Sequence, residues 1–280
     1  MRFPERILCS KVAVVPSRWA CIWFLMIALA LHCHPAHGQS LPKVVDVPTR
    51  PGVTQRFLFI TPEVPKAAAI LYAGGHGGLQ LDRYGTFGWG EDNFLVRTRL
   101  LFVNNGIAVA VIDAPSDRQS SPYLNGFRLT REHADDARAA IAWLRAQLHV
   151  PVWLVGTSRG TQSVAAIAIA LAGGGGPDGI VLTSTILRDD RGGDPVTSMH
   201  LATLTIPVLV VHHREDGCRY CPASETDSLM KQLTQSSRAN LMIVSGGTSQ
   251  GDPCEPFAYH GFNGIESDVV TAISAWMLAR

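Results

Sequence analysis

The sequence predicts an α/β domain with a mostly parallel central sheet and helices on both faces. Short apolar runs alternate with helical segments from Ala67 to the end of the chain, which is typical of parallel sheets covered by helices. Two runs before them, residues 44–47 and 53–60, are separated by a Pro51-Gly52 turn and predict an antiparallel pair. The third observation is the pentapeptide 156–160, Gly-Thr-Ser-Arg-Gly, which lies between a predicted strand and a predicted helix.

Each strand is predicted from a short apolar run that glycine, proline or polar residues bound. Beyond the opening pair, these runs are Ala67–Tyr72, Ile107–Ile112, 152–155, 180–183, 207–212 and 240–244. Five helices are predicted between and after them, over residues 93–104, 130–148, 159–172, 224–233 and 265–278. The first has Phe94, Leu95, Leu100 and Leu101 as its apolar face. The second begins at Thr130, a good N-cap, and carries the stripe Ala134, Ala137, Ile141, Leu144 and Leu148.

Composition excludes some classes of protein. The 280 residues carry a net charge of +1, with 17% charged and 46% hydrophobic residues. These values describe a globular chain, and without a cluster of lysine and arginine they exclude nucleic acid as a partner.

The N-terminus has the pattern of an export signal. Basic residues precede an apolar run over residues 19–31, which is short for a membrane span. Ala36 and Gly38 then supply the small residues that a signal peptidase selects. We therefore expect a signal peptide over residues 1–38 and a single mature domain over 39–280, located in a bacterial periplasm or secreted. An uncleaved anchor is the alternative.

Three residues follow strand ends in an order that favours acyl transfer. Ser158 lies at a tight strand-to-helix turn, where its hydroxyl projects from the sheet. Such a hydroxyl needs a histidine base, which a carboxylate must orient. Asp216 follows the strand 207–212, and His260 lies between the last strand and the last helix. Glu215 and Asp252 remain alternative orienting carboxylates.

With these segments the chain resembles the serine hydrolases of the α/β-hydrolase fold, of the esterase and dienelactone hydrolase type. The resemblance covers the mature region and implies a small cap, no cofactor and no metal. It implies a small-molecule ester or acyl substrate. The loop 74–78, Gly-Gly-His-Gly-Gly, stands where this fold supplies one oxyanion-hole amide. Gly75 is our first choice among Gly75, His76 and Gly77, and Arg159 is expected to supply the second amide.

Removal of the signal peptide leaves Cys218, Cys221 and Cys254. An odd number in an oxidising compartment indicates one disulfide and one free thiol. A Cys218–Cys254 bond would tie the acid turn to the histidine loop and is preferred; Cys221–Cys254 is the alternative. A metal or redox role for Cys218-x-x-Cys221 is disfavoured, because further ligands and the usual helix context are missing.

The sequence gives little information about the preferred substrate. The expected cap, residues 183–206, contains the charged run 188–191, and a second insertion over 118–128 carries Tyr123 and Phe127. Both predict a fairly open site. Arg159 could attract an acidic substrate or be structural. A peptidase or amidase, or a non-catalytic binding protein of the same fold, remains an alternative function. The other histidines are assigned to structure: His76 to its loop, His212 and His213 to the acid turn, and His133 and His149 to a surface helix.

Overall fold

The structure is a computed structural model that describes residues 40–189 and 192–279. The strands of these residues form one eight-stranded sheet, in the order β1-β2-β4-β3-β5-β6-β7-β8. The strands are Lys43–Pro48 (β1), Thr54–Ile60 (β2), Ala67–Tyr72 (β3), Ile107–Ile112 (β4), Val152–Thr157 (β5), Gly179–Thr183 (β6), Val208–His213 (β7) and Ala239–Val244 (β8). β1 pairs antiparallel with β2, and β2 pairs antiparallel with β4. All other neighbouring strands of the sheet pair parallel. The predicted fold class is confirmed.

Helices connect these strands. They are Phe94–Arg97 (α1), Arg99–Asn104 (α2), Arg131–Leu148 (α3), Gly160–Ala170 (α4), Thr226–Met230 (α5) and Glu266–Leu278 (α6). The predicted N-cap of α3 is confirmed, because the hydroxyl of Thr130 accepts a hydrogen bond from the amide of His133. Within the described part of the chain, every helix is too short or too polar to cross a lipid bilayer.

The core has two layers, one on each face of the sheet. Along β3, Ala68, Ile70 and Tyr72 pack into one layer. Ala69 and Leu71, which alternate with them, pack into the other. Helices α3, α4 and α5 cover the first layer, and α1, α2 and α6 cover the second. Because the strands are buried on both faces of the sheet, their sequences are continuous apolar runs.

Two predicted helices differ from the structure. The segment 93–104 breaks at Thr98, whose hydroxyl donates to the carbonyl of Phe94. After this break the apolar face shifts, so that Leu100 is 43% exposed whereas Phe102 is buried. The predicted helix 224–233 is a turn of 3-10 helix, Ala223–Glu225, followed by the short α5.

Between β6 and β7 the described residues form two single turns of 3-10 helix, Val196–Ser198 and Leu201–Thr203. This small segment occupies the place of the expected cap. Residues 190–191 of its charged run lie outside the described residues. The predicted signal peptide, residues 1–38, lies outside them as well.

Candidate active site

Ser158 occupies a strained turn at the carboxyl edge of the sheet. β5 ends at Thr157, Ser158 has a φ of +52°, and α4 begins at Gly160. A β-carbon at Gly160 would lie 2.1 Å from the carbonyl oxygen of Tyr72, and one at Gly156 would lie 2.5 Å from that of Gly160. These approaches explain both glycines, because only a residue without a side chain permits a helix to start so close to the strands.

The acid turn and the histidine loop meet beside this serine. Oδ2 of Asp216, which follows β7, lies 2.9 Å from Nδ1 of His260. The other carboxylate oxygen accepts a hydrogen bond from the amide of Cys218 at 2.9 Å. The side chain of Asp216 is fully buried and that of His260 is 5% exposed. This pair is therefore shielded from solvent, which strengthens its hydrogen bond.

His260 is also fixed through its backbone. The buried hydroxyl of Ser184, at the end of β6, donates to the carbonyl of His260 at 2.7 Å. Nε2 of the imidazole is buried and has no hydrogen-bond partner among the described residues. His260 and Ser158 line the same cavity, of about 680 Å³. The candidate base and the candidate nucleophile therefore share a cavity, and no hydrogen bond joins Nε2 of His260 to the hydroxyl of Ser158.

The glycine loop after β3 borders the same cavity. Gly74 packs against the serine turn, since a β-carbon there would lie 2.9 Å from Cβ of Ser158. Gly75 has a φ of +59° and lines the cavity. The ring of Trp89 lies against Gly75 and leaves no space for a side chain. Backbone groups of this loop thus reach the serine closely, as an oxyanion hole requires.

Arg128 supports this loop, although the sequence did not predict a role for it. Its buried guanidinium donates to the carbonyls of Ala73 and Gly75, at 3.3 and 3.2 Å, and to the hydroxyl of Ser163 at 2.7 Å. Nothing in the sequence around Arg128 distinguishes it from a surface arginine. Its role depends on contacts more than thirty residues away along the chain.

Asp113 was also missed, although its position directly after β4 was a usable signal. Its buried carboxylate accepts hydrogen bonds from the amides of Leu79 and Leu81, at 2.6 and 2.9 Å. The segment after the glycine loop is therefore fixed to the edge of the sheet.

The remaining histidines have structural contacts. His76 stacks between Trp89 and Tyr123, with ring centroids 3.8 and 4.3 Å away. Burial, and then the charges of Arg128 and Arg159, lower the pKa of His76. The prediction that His76 shapes its loop fits this stack.

Two further histidines, at the end of β7, surround the acid turn as expected. His212 accepts a hydrogen bond from the amide of Thr185, and burial lowers the pKa of His212 to about 4. His213 stacks on Tyr259 and accepts a hydrogen bond from the amide of Glu215. The assignment of His133 to a surface position was wrong, because it is 2% exposed and faces the core.

A disulfide joins Cys218 to Cys254, which is the pairing that the sequence favoured. Cys221 is buried and takes no part in this disulfide. Ligand atoms of Cys218, Cys221 and His260 all lie within 4.8 Å of one another, as in a metal site. Because the sulfur of Cys218 is bonded to Cys254, it cannot serve as a thiolate ligand, and the donor set does not suit a metal.

No family model matches the sequence, and no curated protein matches it either. Solved structures do match. A dienelactone hydrolase from Anabaena variabilis has a TM-score of 0.59 at 16% identity, over 85% of this chain and 97% of that one. An esterase from Pyrococcus furiosus has a TM-score of 0.59 at 14% identity, over 85% and 90%.

Carboxyl esterase 2 from the fungus Tuber melanosporum has a TM-score of 0.58 at 15% identity, over 85% of this chain and 86% of the esterase. Together with the sheet order and the serine turn, these matches define the fold. The chain has the α/β-hydrolase fold. At such low identity the matches concern the fold alone.

Proposed function

We propose that this protein is a serine hydrolase that cleaves carboxylic esters through an acyl-enzyme intermediate. The observation that carries the proposal is the buried hydrogen bond between Asp216 and His260, beside a cavity that Ser158 also lines. Esterases among the structures of the same fold support the choice of reaction.

In the proposed mechanism, Oγ of Ser158 attacks the carbonyl carbon of the ester while Nε2 of His260 takes its proton. Asp216 accepts the hydrogen bond of Nδ1–H, so the imidazole presents its basic nitrogen to the serine. The imidazolium that forms is stabilised by the same carboxylate. His260 then gives its proton to the departing alkoxide, which leaves as an alcohol.

The negative charge on the tetrahedral intermediate requires fixed donors. We assign these to the backbone amide of Arg159, which follows Ser158 in the chain, and to that of Gly75 in the glycine loop. Arg159 precedes the first turn of α4, where the helix dipole adds positive potential. Water, activated by His260, releases the acyl group in the second half of the reaction. The mechanism needs no metal and no organic cofactor.

An ester is a more favourable substrate than an amide, because an alkoxide leaves more easily than an amine. We also propose that residues 1–38 are a signal peptide and that residues 39–280 form one exported domain. The Cys218–Cys254 disulfide supports export, since such bonds persist in oxidising compartments.

The test is labelling and turnover with Ser158→Ala and a matched control. A fluorophosphonate probe should label the wild-type protein at Ser158, and the protein should hydrolyse p-nitrophenyl acetate. Ser158→Ala should lose labelling and lower kcat by about 10⁴-fold or more without a change in Tm. Ser228→Ala, at an exposed position on α5, should behave as wild type.

Activity that survives in Ser158→Ala, or labelling at another residue, would reject this nucleophile. Faster turnover of peptide p-nitroanilides than of esters would favour the amidase alternative. A folded protein without labelling or turnover would favour a binding protein.

A further inference from the structure

The wall of the active-site cavity is acidic. Four carboxylate residues line it: Glu91, Asp92, Asp252 and Glu255. The first two precede α1, and the other two belong to the loop that leads to His260. Among the described residues that line the cavity there is no lysine or arginine. The carboxylates thus give the cavity an excess of negative charge, which attracts cations.

Arginines behind the wall offset part of this charge: Arg97 donates to the backbone carbonyl of Asp92, and Arg99 interacts electrostatically with Glu91. The four carboxylates still outnumber these two cations. Arg97 lies beneath Phe257, where its guanidinium pairs with Glu266 at 3.0 Å and donates to the carbonyl of Gly261. Arg159 donates to Asn125 and does not line the cavity. The possibility that Arg159 selects an acidic substrate therefore finds no support in the cavity wall.

Two partly exposed aromatic rings line the same cavity. Trp89 is 37% exposed and Phe257 is 43% exposed. His76 covers one face of Trp89, and Arg97 lies at one face of Phe257. The exposed parts of such rings attract organic cations through their quadrupoles, most strongly where water is partly excluded. Carboxylates combined with aromatic faces suit a substituted ammonium group better than a hydrated metal ion.

A second observation indicates that a ligand binds in this cavity. His260 is 4% exposed, and its Nε2 has no hydrogen-bond partner among the described residues. A buried polar nitrogen without a partner is costly, and it is expected where a ligand completes the site. The acidic wall therefore borders the candidate catalytic base and is more than a solvated surface.

We propose that the substrate is an ester that carries a cationic organic group, such as a substituted ammonium. This inference rests on the proposed ester hydrolase function and specifies its substrate class. The carboxylates and aromatic rings bind the cation while the ester carbonyl lies at Ser158. Hydrolysis consumes one water and gives an acid and an alcohol, one of which keeps the cationic group.

The experiment compares ester pairs that differ only by the replacement of N⁺ with carbon. For a cation on the leaving group, the pair is acetylthiocholine and S-(3,3-dimethylbutyl) thioacetate. For a cation on the acyl group, it is the p-nitrophenyl ester of 4-(trimethylammonio)butanoate and that of 5,5-dimethylhexanoate. We expect kcat/KM to favour the cationic member of at least one pair by about tenfold at low salt, and by much less in 0.5 M NaCl.

The pair that shows the preference identifies the side of the ester that binds the acidic wall. Equal kcat/KM within both pairs would overturn the cationic substrate and leave the ester hydrolase intact. No turnover of any of the four esters would overturn the proposed function, and the inference with it.

The double variant Asp252→Asn/Glu255→Gln tests the wall directly. Asn keeps an oxygen for the hydrogen bond that Asp252 accepts from the amide of Cys254. We expect the cationic-to-neutral ratio of kcat/KM to fall by about fivefold. The matched control is Glu63→Gln, an exposed acid outside the cavity, which should keep the wild-type ratio. An unchanged ratio in the double variant would overturn the assignment.

Discussion

The carboxylate of Asp216 hydrogen-bonds to His260 through Oδ2, while its Oδ1 accepts the amide of Cys218 in its own turn. The second contact fixes the carboxylate before any substrate binds. The first sets the tautomer of the imidazole, because the carboxylate accepts only an N–H. The orientation of His260 is thus determined by a turn 44 residues earlier in the chain.

Asp216→Asn should lower kcat by about 10³–10⁴-fold with a small change in KM. The amide of asparagine can stabilise the wrong tautomer of His260 and cannot stabilise the imidazolium. Folding should persist, because the asparagine oxygen can still accept the amide of Cys218. Steady-state kinetics with an activated ester and thermal unfolding measure both effects. Glu215→Gln, the exposed neighbour, is the control and should keep wild-type kcat; a large loss there would make Glu215 the orienting acid.

The disulfide should contribute strongly to stability. It closes a loop between residues 36 apart, for which chain entropy predicts about 3–4 kcal/mol. Cys254→Ser should therefore lower the free energy of unfolding by about that amount in urea titrations. It should also lower kcat, because the acid turn and the histidine loop lose their link. Cys221→Ala removes a cysteine without removing the disulfide, and a comparable loss of stability in that variant would contradict the assignment.

Two inner strands, β3 and β4, were predicted to the residue, and the reason is physical. Ala67–Tyr72 and Ile107–Ile112 are buried on both faces, so each is an uninterrupted apolar run. Helix α1 was extended too far because hydrophobic periodicity does not reveal the local hydrogen bond by which Thr98 ends it. Hydrophobic periodicity therefore predicts which residues are buried more reliably than it predicts where a helix ends.

The site was predictable to the extent that it depends on local turns. Ser158, Asp216 and His260 each follow a recognisable strand, so their order along the chain placed them at one sheet edge. Arg128 and the acidic residues before α1 carry no such local signal. Their positions follow from long-range packing, which one sequence does not reveal.

Acid should destabilise the protein partly through His133. Burial lowers the pKa of His133 to about 3, from about 6.5 in an unfolded chain. Between these pH values the unfolded state binds one more proton, so the free energy of unfolding falls as the pH falls, by about 1.4 kcal/mol per unit. His133→Gln should flatten this dependence in urea titrations from pH 7 to 4. His200→Gln, at an exposed position, should leave the pH dependence unchanged. Equal slopes of the free energy of unfolding against pH in wild type and both variants would show that His133 is not the cause.

Arg128 should act as a positioning residue for the oxyanion hole. Arg128→Met keeps a long apolar stem and removes the hydrogen bonds to the carbonyls of Ala73 and Gly75. We expect kcat to fall by about 10²-fold with little change in KM, because a misplaced oxyanion donor affects the transition state. Arg128→Lys should restore part of kcat. Loss of stability with unchanged kcat in the folded fraction would show a purely structural role.

The serine turn makes the sharpest steric prediction. Gly160→Ala places a β-carbon 2.1 Å from the carbonyl oxygen of Tyr72. The neighbouring atoms belong to the backbone, so no flexible side chain can move to relieve the contact. We expect a loss of about 3 kcal/mol in the free energy of unfolding. The folded fraction should also lose activity, because α4 must shift and Ser158, which directly precedes its first turn, must shift with it. The matched control is Gly173→Ala, where a β-carbon meets nothing within 4 Å. Wild-type stability in Gly160→Ala would show that the strand and the helix do not approach each other this closely.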